Sequence, residues 1–403
     1  DAPAIRFKGF SDAWEQRKAI DIADYSKGNG YSKGDLTDAG TPIILYGRLY
    51  TKYQFAISEV DTFAVPRNGA VYSQGNEVIV PASGETAEDI ARASAVEKSG
   101  VLLGGDLNIL RPFDFINPLF LALAISNGEP QKELAKKAQG KSVVHIHNTD
   151  IQEVTIVYPS RTEQDRIVSV FRQLDHLITL HQRKFEKLTN VKKSMLEKMF
   201  PQNGSSYPEI RFKGFTDPWE QRKLTEFVES FSGLTYTPND VQENGTLVLR
   251  SSNVSNGEVV DADNVYVNPQ VVNSENVKVG DIVVVVRNGS RSLIGKHAQI
   301  KAFMPNTVIG AFMTGIRSEC PEFTNALLNT SRFEEEIAMN MGATINQITG
   351  YMFSKMEFKV PCLDEQKKIG EYFEKLDRLI TLHQRELKKL QNIKKSMLEK
   401  MFV

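Results

Sequence analysis

Cysteine and long apolar runs are what this sequence lacks most. Only Cys320 and Cys362 occur among 403 residues, which excludes a disulfide framework and a zinc site built from cysteines, and favours a reducing cytoplasm. No apolar run approaches the ~18–20 residues that a membrane-spanning helix needs. The N-terminus also lacks the basic-then-apolar pattern of a secretory signal. A hydrophobic share of 41% and a charged share of 25% predict an ordinary globular protein, and the length suits two or three domains.

The chain has no excess of positive charge either. Its formal net charge is −1. Residues 160–200 carry +4 and residues 362–403 carry +3, which leaves −8 for the remainder. Because unaided DNA binding depends largely on neutralising phosphates, this balance disfavours it, and any DNA contact would require local basic patches on acidic domains.

Catalytic motifs are missing as well. We find no Ser-His-Asp, paired-carboxylate or phosphate-loop pattern. Residues 117–120 (NPLF) are one residue from the Asn-Pro-Pro-Phe/Tyr motif of adenine methyltransferases, but no glycine-rich cofactor loop precedes them, so a strand-to-helix turn is favoured. His145 and His147 are two residues apart, yet no cysteine or carboxylate pair completes a metal site, which favours a structural or partner-facing role. We therefore predict no catalytic residue, no metal and no cofactor in this chain.

What the sequence does contain is an internal duplication. The repeated segments are IRFKGFSDAWEQRK and IRFKGFTDPWEQRK at residues 5–18 and 210–223, LITLHQR at 177–183 and 379–385, and KKSMLEKMF at 192–200 and 394–402. We call these duplicated ends the frame. The segments between them, about residues 15–158 and 220–360, are nearly unrelated in sequence, and we call them the inserts. One frame around two different inserts suits a protein with one scaffold and two specificities.

Each half ends in a predicted long helix. Its apolar residues recur with 4-3-4-3 spacing, which is typical of a coiled-coil seam. The predicted seam residues are Ile167, Phe171, Leu174, Ile178, His181 and Leu188 in the first helix, and Ile369, Phe373, Leu376, Ile380, His383 and Leu390 in the second. One helix cannot bury such a seam alone, so we expect the two to pair antiparallel. The two seam histidines would then set the register, or contact a partner.

The inserts are predicted to consist mostly of strands and turns. Strands are expected at residues 42–46, 77–80, 107–110, 246–249, 281–286 and 298–302, and before the long helices at 154–158 and 356–360. Short helices should follow Pro118 and Pro321. The predicted fold class is α+β: two domains of mixed strands and short helices, separated by two long antiparallel coiled-coil helices, with pseudo-two-fold symmetry. The predicted boundaries are residues 1–158, 159–204 (first long helix and linker), 205–360 and 361–403.

Two motifs shared by both halves have a counterpart in a known family. They are the opening Trp-Glu-Gln-Arg-Lys (residues 14–18 and 219–223) and the Pro-x-x-x-Glu-Gln-x-x-Ile that begins each long helix (159–167 and 361–369). Together they resemble the specificity subunit of type I restriction–modification enzymes. Within the inserts, residues 46–53 (YGRLYTKY), 104–107 (GGDL) and 279–284 (VGDIVV) are similar to recurrent elements of that family's target-recognition domains. The resemblance covers essentially the whole chain.

The resemblance implies a non-catalytic subunit. Each target-recognition domain would bind one half of a split double-stranded DNA sequence, and the long helices would fix the spacer. Two modification subunits would dock on the helices and supply adenine N6 methylation that depends on S-adenosylmethionine; whether restriction subunits join them stays open. Roughly 36 helical residues span about 54 Å, which would hold the two domains more than one DNA turn of about 34 Å apart.

Candidate DNA contacts are polar residues at strand ends and turns, because such side chains supply base-edge and phosphate contacts. They are Arg48, Thr51, Lys52, Tyr53, Arg67, Asn68 and Ser83 in the first insert, and Arg250, Ser251, Asn253, Arg287, Asn288 and Arg291 in the second. Ser83 is expected in an exposed turn. For residues 287–291 the alternative is an ordinary polar hairpin loop, and for Tyr46 and Tyr50 packing is favoured over DNA contact.

Two other functions stay open at this stage. The first is a coiled-coil adaptor with two protein-binding domains and no DNA recognition. The acidic remainder favours it, but the divergence of the inserts disfavours it, because an adaptor for two copies of one partner would keep both inserts alike. The second is an enzyme, which the missing motifs disfavour and which a cofactor-binding assay on the isolated chain would expose.

Overall fold

The structure, a computed structural model, describes residues 3–140, 143–341 and 346–402. The chain forms two compact units. The first unit is Asp1–His181 with Glu386–Val403, and the second is Gln182–Arg385. Each unit therefore contains one insert, the opening segment that precedes it, and parts of both long helices.

The first unit is built on two mixed sheets. Its strands are β1 (Glu15–Lys18), β2 (Ala23–Lys27), β3 (Leu36–Thr37), β4 (Thr41–Ile44), β5 (Ala56–Ile57), β6 (Phe63–Ala64), β7 (Tyr72–Gln74), β8 (Glu77–Pro81), β9 (Ser83–Gly84), β10 (Ser94–Val96), β11 (Ser99–Leu103), β12 (Leu107–Pro112), β13 (Val144–His145) and β14 (Thr155–Tyr158). Its helices are α1 (Arg48–Thr51), α2 (Ala87–Ile90), α3 (Pro118–Ile125), α4 (Gly128–Lys137), α5 (Asn148–Gln152) and the first part of α6 (Arg161–Met199). The sheets have the strand orders β2-β12-β8-β10-β5 and β3-β6-β4-β11-β7, and β1 pairs with β14 and β9 with β13.

The second unit has its own pair of sheets, one antiparallel and one mixed. Its strands are β15 (Glu220–Lys223), β16 (Val228–Ser232), β17 (Val241–Gln242), β18 (Thr246–Leu249), β19 (Val254–Ser255), β20 (Glu258–Val259), β21 (Val265–Val267), β22 (Ile282–Val285), β23 (His297–Gln299), β24 (Thr307–Ile309), β25 (Met313–Ser318) and β26 (Glu357–Val360). Its helices are α7 (Pro321–Leu328), α8 (Ser331–Asn340), α9 (Gly350–Lys355) and the first part of α10 (Leu363–Met401). The sheets have the orders β16-β25-β22-β23 and β17-β21-β18-β24, with β15 paired to β26 and β19 to β20.

The two inserts share a topology that their sequences do not reveal. The order β2-β12-β8-β10 of the first unit corresponds to β16-β25-β22-β23 of the second, and β3-β6-β4-β11 corresponds to β17-β21-β18-β24. The last pair of the second series is parallel in both units, β4 with β11 and β18 with β24, while the other shared pairs are antiparallel. The predicted α+β class is confirmed, and the inserts diverge on one common backbone.

A close backbone approach recurs at the same place in both inserts. A Cβ atom on Gly28 would lie 1.9 Å from the carbonyl oxygen of Gly104, and a Cβ atom on Gly233 would lie 2.1 Å from that of Gly310. Any side chain at Gly28 or Gly233 would therefore push apart segments that the topology holds together. The backbone therefore requires glycine at this position in both inserts.

The duplicated opening segment joins the start of each insert to its end. Strand β1 pairs with β14, and β15 pairs with β26, so the opening strand lies beside the strand that leads into the long helix. Arg6 donates from both Nε and Nη2 to the carboxylate of Glu163 at 2.8 Å, and Arg211 does the same with Glu365 at 2.8 Å. Both carboxylates are buried, and the hydrogen bond to Glu163 raises the pKa of Arg6. Equivalent residues of the frame therefore make the same contact in both units.

The long helices α6 and α10 are 39 residues each and run antiparallel. In the first unit, Phe402 at the end of α10 packs against Phe171 near the start of α6, with ring centroids 6.1 Å apart. In the second unit, Phe200 at the end of α6 packs against Phe373 near the start of α10, at 6.0 Å. The start of each helix is thus covered by the end of the other.

Burial along the predicted seam falls toward the middle of each helix. Ile167, Phe171 and Leu174 are buried, as are Ile369, Phe373 and Leu376. The remaining seam residues are half-buried: Ile178, His181, Leu188, Ile380, His383 and Leu390. The firmly packed parts of the seam are therefore those that also contact an insert. None of the helices in the described part of the chain is long and apolar enough to cross a membrane.

Candidate nucleic-acid interface

The end of the buried strand β22 presents an arginine on an aromatic ring. All four residues of β22 are buried, and the chain emerges at Arg287. The Arg287 guanidinium lies over the ring of Phe312, 4.9 Å from its centroid, and Phe312 is itself 54% exposed. A cation–π contact of this kind holds the guanidinium plane without using its hydrogen-bond donors.

Asn288 connects two segments that the sequence suggested separately. Its Nδ2 donates to the Ser251 hydroxyl at 3.0 Å, and its Oδ1 accepts the backbone N–H of Ser290 at 2.9 Å. Its own backbone N–H donates to the carbonyl of Asn346 at 3.3 Å. The predicted residues Ser251, Asn288 and Arg287 therefore lie together at one end of the second unit.

Arg287 and Arg291 are exposed cations of this surface without a carboxylate partner among the residues that the structure describes. An arginine without an internal acidic partner keeps all five donors for a phosphate or a base edge. Of the six residues predicted in the second insert, these two are best placed to contact an anionic ligand.

Arg250 and Asn253 are used inside the protein instead. Arg250 donates to the Asp263 carboxylate at 2.6 Å. Asn253 is 1% exposed; its Oδ1 accepts the N–H of Arg250 at 2.9 Å, and its Nδ2 donates to the carbonyl of Ala262 at 2.8 Å. Asn253 thus closes its own turn, and its side chain is not presented to a ligand.

A mostly apolar cavity of about 670 Å³ adjoins this surface. Tyr236, Arg250 and Phe312 line it, together with Ser251 and Ser252. The Arg250–Asp263 pair and the serine hydroxyls supply its polar rim, so the exposed face of Phe312 is bounded by hydrogen-bonding groups.

In the first unit, Arg48 and Lys52 converge on one carboxylate. Arg48 Nη1 lies 2.8 Å from Asp61, Lys52 Nζ lies 2.5 Å from it, and the Arg48 side chain is only 9% exposed. These two hydrogen bonds, that of Lys52 first, lower the pKa of Asp61 to about 2. The Thr51 hydroxyl donates to the carbonyl of Gly47 at 3.1 Å. Arg48 is therefore tied to the protein, whereas Lys52 keeps an exposed ammonium.

Tyr53 and Arg67 each take part in a cation–π contact within the first unit. Tyr53 is 39% exposed, with the Arg92 guanidinium 5.3 Å from its ring centroid. Arg67 lies 5.1 Å from the centroid of Tyr31 and pairs with Asp35. The pKa of Asp35 is lowered to about 2, chiefly by the backbone N–H of Ser32 and then by Arg67.

Asn68 follows Arg67 in an exposed turn that Gly69 completes with a positive φ of 78°. The carbonyl of Gly69 accepts a hydrogen bond from Asn29 at 2.7 Å. The turn is thus held by its backbone, which leaves the Asn68 side chain on the surface as predicted.

The expectation that Ser83 lies in an exposed turn is wrong. Ser83 is 7% exposed and belongs to β9, which pairs with β13 so that Ser83 is opposite His145. The Ser83 hydroxyl and His145 Nδ1 are 3.1 Å apart, and the Tyr50 hydroxyl donates to the carbonyl of Ser83 at 2.5 Å. The partner strand comes from 62 residues further along the chain, so no local turn signal could reveal it. His145 is exposed and was not among the predicted contacts.

The long helices expose a repeated apolar pair beside the seam. Leu177 and Leu180 are 39% and 38% exposed in the first unit. Leu379 and Leu382 of the second unit, which occupy the same positions of the repeat, are 43% and 51% exposed. Large exposed apolar residues that recur at equivalent positions favour an interaction surface.

No cluster of metal-ligating side chains occurs among residues 3–140, 143–341 and 346–402. His145 and His147 in particular are not joined by a third ligand there.

Comparison with known proteins identifies the family. The family model for the type I restriction modification DNA specificity domain matches residues 11–190 and again 216–392. The chain is 23% identical over 343 residues to the MjaVIII specificity subunit of Methanocaldococcus jannaschii, covering 82% of this chain and 79% of that protein. It is 30% identical over 172 residues to the EcoKI specificity subunit of Escherichia coli, covering 40% of this chain and 36% of that protein.

A solved structure extends the likeness to the fold. The S subunit of the type I restriction–modification system from M. genitalium superposes with a TM-score of 0.68 at 16% identity, covering 100% of this chain and 99% of that one. Two matches to the family model, one on each half, also agree with the duplication seen in the sequence. The chain therefore belongs to the family of type I restriction–modification DNA specificity subunits.

Proposed function

We propose that this subunit recognises a bipartite double-stranded DNA target, with one half-site bound by each unit. The observation that carries the proposal is the surface at the end of β22, where Arg287 and Arg291 are exposed without carboxylate partners among the described residues. Bidentate contact of arginine with guanine is the commonest specific contact in the major groove, and phosphate contact uses the same donors.

The first unit would use different groups for its half-site. Lys52 and Asn68 present exposed polar atoms, whereas the Tyr53 hydroxyl is hydrogen-bonded to Ser126, and Arg48 and Arg67 are paired with Asp61 and Asp35. Arg67, 54% exposed, could exchange its carboxylate partner for a phosphate, while the largely buried Arg48 is better suited to hold α1 in place.

Catalysis would be supplied by partner proteins. The repeated apolar pairs, Leu177 with Leu180 and Leu379 with Leu382, fit two copies of one partner, as expected for two modification subunits that bring S-adenosylmethionine-dependent adenine N6 methylation. Restriction subunits would complete the nuclease. We further propose a cytoplasmic location, where the DNA of a prokaryotic cell is accessible to the assembly.

The direct test is single-molecule sequencing of DNA from cells that co-express the chain with the methyltransferase subunits of its own system. We expect N6-methyladenine in one split motif with an unspecified spacer. Arg287→Ala should then relax one position of one half-site, by about ten- to a hundredfold in discrimination, and leave the other half-site intact.

Arg222→Ala is the matched control, because Arg222 is a similarly exposed arginine of the second unit that pairs with Glu220 in the frame. It should leave the motif unchanged. A stable complex with the wild-type chain that methylates no motif would contradict the proposal and favour an adaptor without DNA recognition.

A further inference from the structure

The two units carry the same backbone arrangement at the end of their central strands. In the first unit, the N–H of Ala82 donates to the carbonyl of Asp106 at 2.8 Å, and the carbonyl of Ala82 accepts the N–H of Ile146 at 3.1 Å. In the second, the N–H of Val286 donates to the carbonyl of Phe312 at 3.0 Å, and the carbonyl of Val286 accepts the N–H of Ile348 at 2.8 Å. Ala82 and Val286 therefore occupy equivalent positions.

The strand registers extend this equivalence to the neighbouring residues. Val78 in β8 is opposite Leu110, and Ile282 in β22 is opposite Ile316, which sets the two central strands in step. One residue beyond Ala82 and Val286, Ser83 is opposite His145 and Arg287 is opposite Gln347. Three positions thus correspond between the units: Ser83 with Arg287, His145 with Gln347, and Asp106 with Phe312.

The side chains differ at all three positions although the backbone is the same. The second unit has an exposed guanidinium on an exposed aromatic ring, beside the half-buried amide of Gln347. The first unit has an exposed imidazole held by the Ser83 hydroxyl, and an exposed carboxylate on Asp106, whose carbonyl accepts the Ala82 N–H. His145 and Asp106 in the first unit, like Arg287 and Phe312 in the second, are exposed, so core packing does not explain the divergence at these positions.

We propose that these three positions form one specificity-determining spot in each unit: His145 and Asp106 contact a base pair of the first half-site, and Gln347 and Phe312 act with Arg287 in the second. The inference rests on the proposed function. In the first unit Ser83 is a positioning residue, since it acts through the His145 ring.

The chemistry of the two spots predicts different bases. A carboxylate is an acceptor only, so Asp106 selects a base edge that offers an amino donor, which in the major groove is cytosine N4 or adenine N6. Arg287 offers two parallel donors, which match guanine. The Gln347 amide offers one donor and one acceptor, which match adenine. An exposed phenylalanine is suited to contact the thymine methyl group.

The test compares variants of the complete complex by sequencing the N6-methyladenine motif. His145→Ala should relax one position of the first half-site about ten- to a hundredfold and leave the second half-site unchanged. Gln347→Ala should relax the second half-site alone. Ser83→Ala, which removes the hydroxyl 3.1 Å from His145, should relax the same base position as His145→Ala, a result that a purely structural role would not give.

His147→Ser is the matched control in the first unit. His147 is an exposed histidine two residues from His145, and its backbone N–H donates to the Asp150 carboxylate at the start of α5, a contact that serine also makes. The complex with this variant should methylate the same motif as the wild-type complex. Asp106→Asn is the second variant if His145→Ala fails to fold, because asparagine keeps the size and tolerates the positive φ of 55° at this position.

Three results would overturn the inference. One is an unchanged motif in the folded His145→Ala and Asp106→Asn complexes. Another is equal relaxation of both half-sites with an unchanged melting temperature, since a base-contacting residue acts on its own half-site only. The third is a wild-type complex without any split motif, which would overturn the proposed function together with this inference, whereas the first two leave the proposed function intact.

Discussion

The first and second units use one backbone for two surfaces of different charge. Both hold their central strand with the same hydrogen bonds and the same glycine contact, at Gly28 in one and Gly233 in the other. At the strand end, however, the first unit presents a carboxylate and an imidazole, and the second presents arginines. The comparison teaches that in this chain the topology is insensitive to the side chains at the ends of the central strands. We therefore expect stability and specificity to be carried by separate sets of residues.

The largest effect is expected for Leu376→Asp, which tests the residues that stabilise the fold. Leu376 is 8% exposed in the second-unit core, and an unpaired carboxylate there costs on the order of 3–5 kcal/mol. We expect unfolding of the second unit, followed by the fluorescence of Trp219 in a Trp14→Phe background. Leu382→Asp on the same helix, at a position 51% exposed, should leave stability unchanged and lower the affinity for the modification subunit. Equal stability of the two variants would sink the assignment of Leu376 to the core.

The next effect tests whether the glycine contact is equivalent in the two units. Gly28→Ala and Gly233→Ala should each destabilise their own unit by about 1–3 kcal/mol or more, because the new Cβ would overlap a backbone carbonyl. Chemical denaturation with Trp14 and Trp219 as separate reporters measures each unit. Gly47→Ala and Gly289→Ala are the controls, since a Cβ at either position meets no atom within 4 Å. A neutral effect in one unit only would break the equivalence.

A third effect concerns a buried histidine in the second unit, at a position where the first unit has an alanine. His297 in β23 is buried and its Nδ1 contacts the carbonyl of Gly295 at 2.9 Å, while the strand registers place the buried Ala93 at the corresponding position of the first unit. Burial lowers the pKa of His297; the charge of nearby Lys192 lowers it further, and Asp377 opposes this.

The sign of the pH dependence follows from that shift. The unfolded chain binds a proton near the ordinary histidine pKa of about 6.5, whereas burial opposes protonation of His297 in the folded unit. Below that pH, protonation of the unfolded chain therefore lowers the free energy of unfolding of the second unit. Above that pH, His297 causes no such loss. We expect the urea midpoint of the second unit to fall between pH 7 and pH 5.5 more than that of the first. His297→Gln should flatten this dependence. An equal fall in both units would show that His297 is not its source.

The smallest effect tests the charge difference between the two surfaces. Arg291→Ala should reduce the slope of log affinity against log salt by about 1 if Arg291 contacts a phosphate, without changing the methylated motif. Retention of the complex on duplex DNA at several salt concentrations measures it. Lys52→Ala is the counterpart in the first unit and should act less, because Lys52 already neutralises Asp61 at 2.5 Å.

The helices and the frame could be predicted from the sequence, because their signals are strong and local. The 4-3-4-3 spacing led to two long helices, and the prolines at 118 and 321 are the first residues of α3 and α7. The strand predicted at residues 246–249 coincides with β18, while that at 298–302 is displaced to His297–Gln299. Helix periodicity extends over many residues, whereas short strands leave little pattern from which to place their ends.

The candidate site was less predictable, since its geometry depends on contacts between distant segments. Arg287 and Arg291 were found because they directly follow an apolar strand. Asn253 was misplaced because a polar residue after a strand can equally close its own turn. Ser83 and His145 could be connected only through strand register, although the repeat offset of 202 residues that relates the two chain ends also relates His145 to Gln347.

The pairing of β1 with β14 also has an evolutionary consequence. Each insert begins and ends on neighbouring antiparallel strands, Glu15 opposite Tyr158 in one unit and Glu220 opposite Val360 in the other, so its two ends lie about 5 Å apart whatever comes between them. A gene segment coding for such an insert can be exchanged, lengthened or replaced by recombination within the duplicated flanks without disturbing the helices outside it. New specificities would then arise by shuffling whole cassettes rather than by accumulating point mutations.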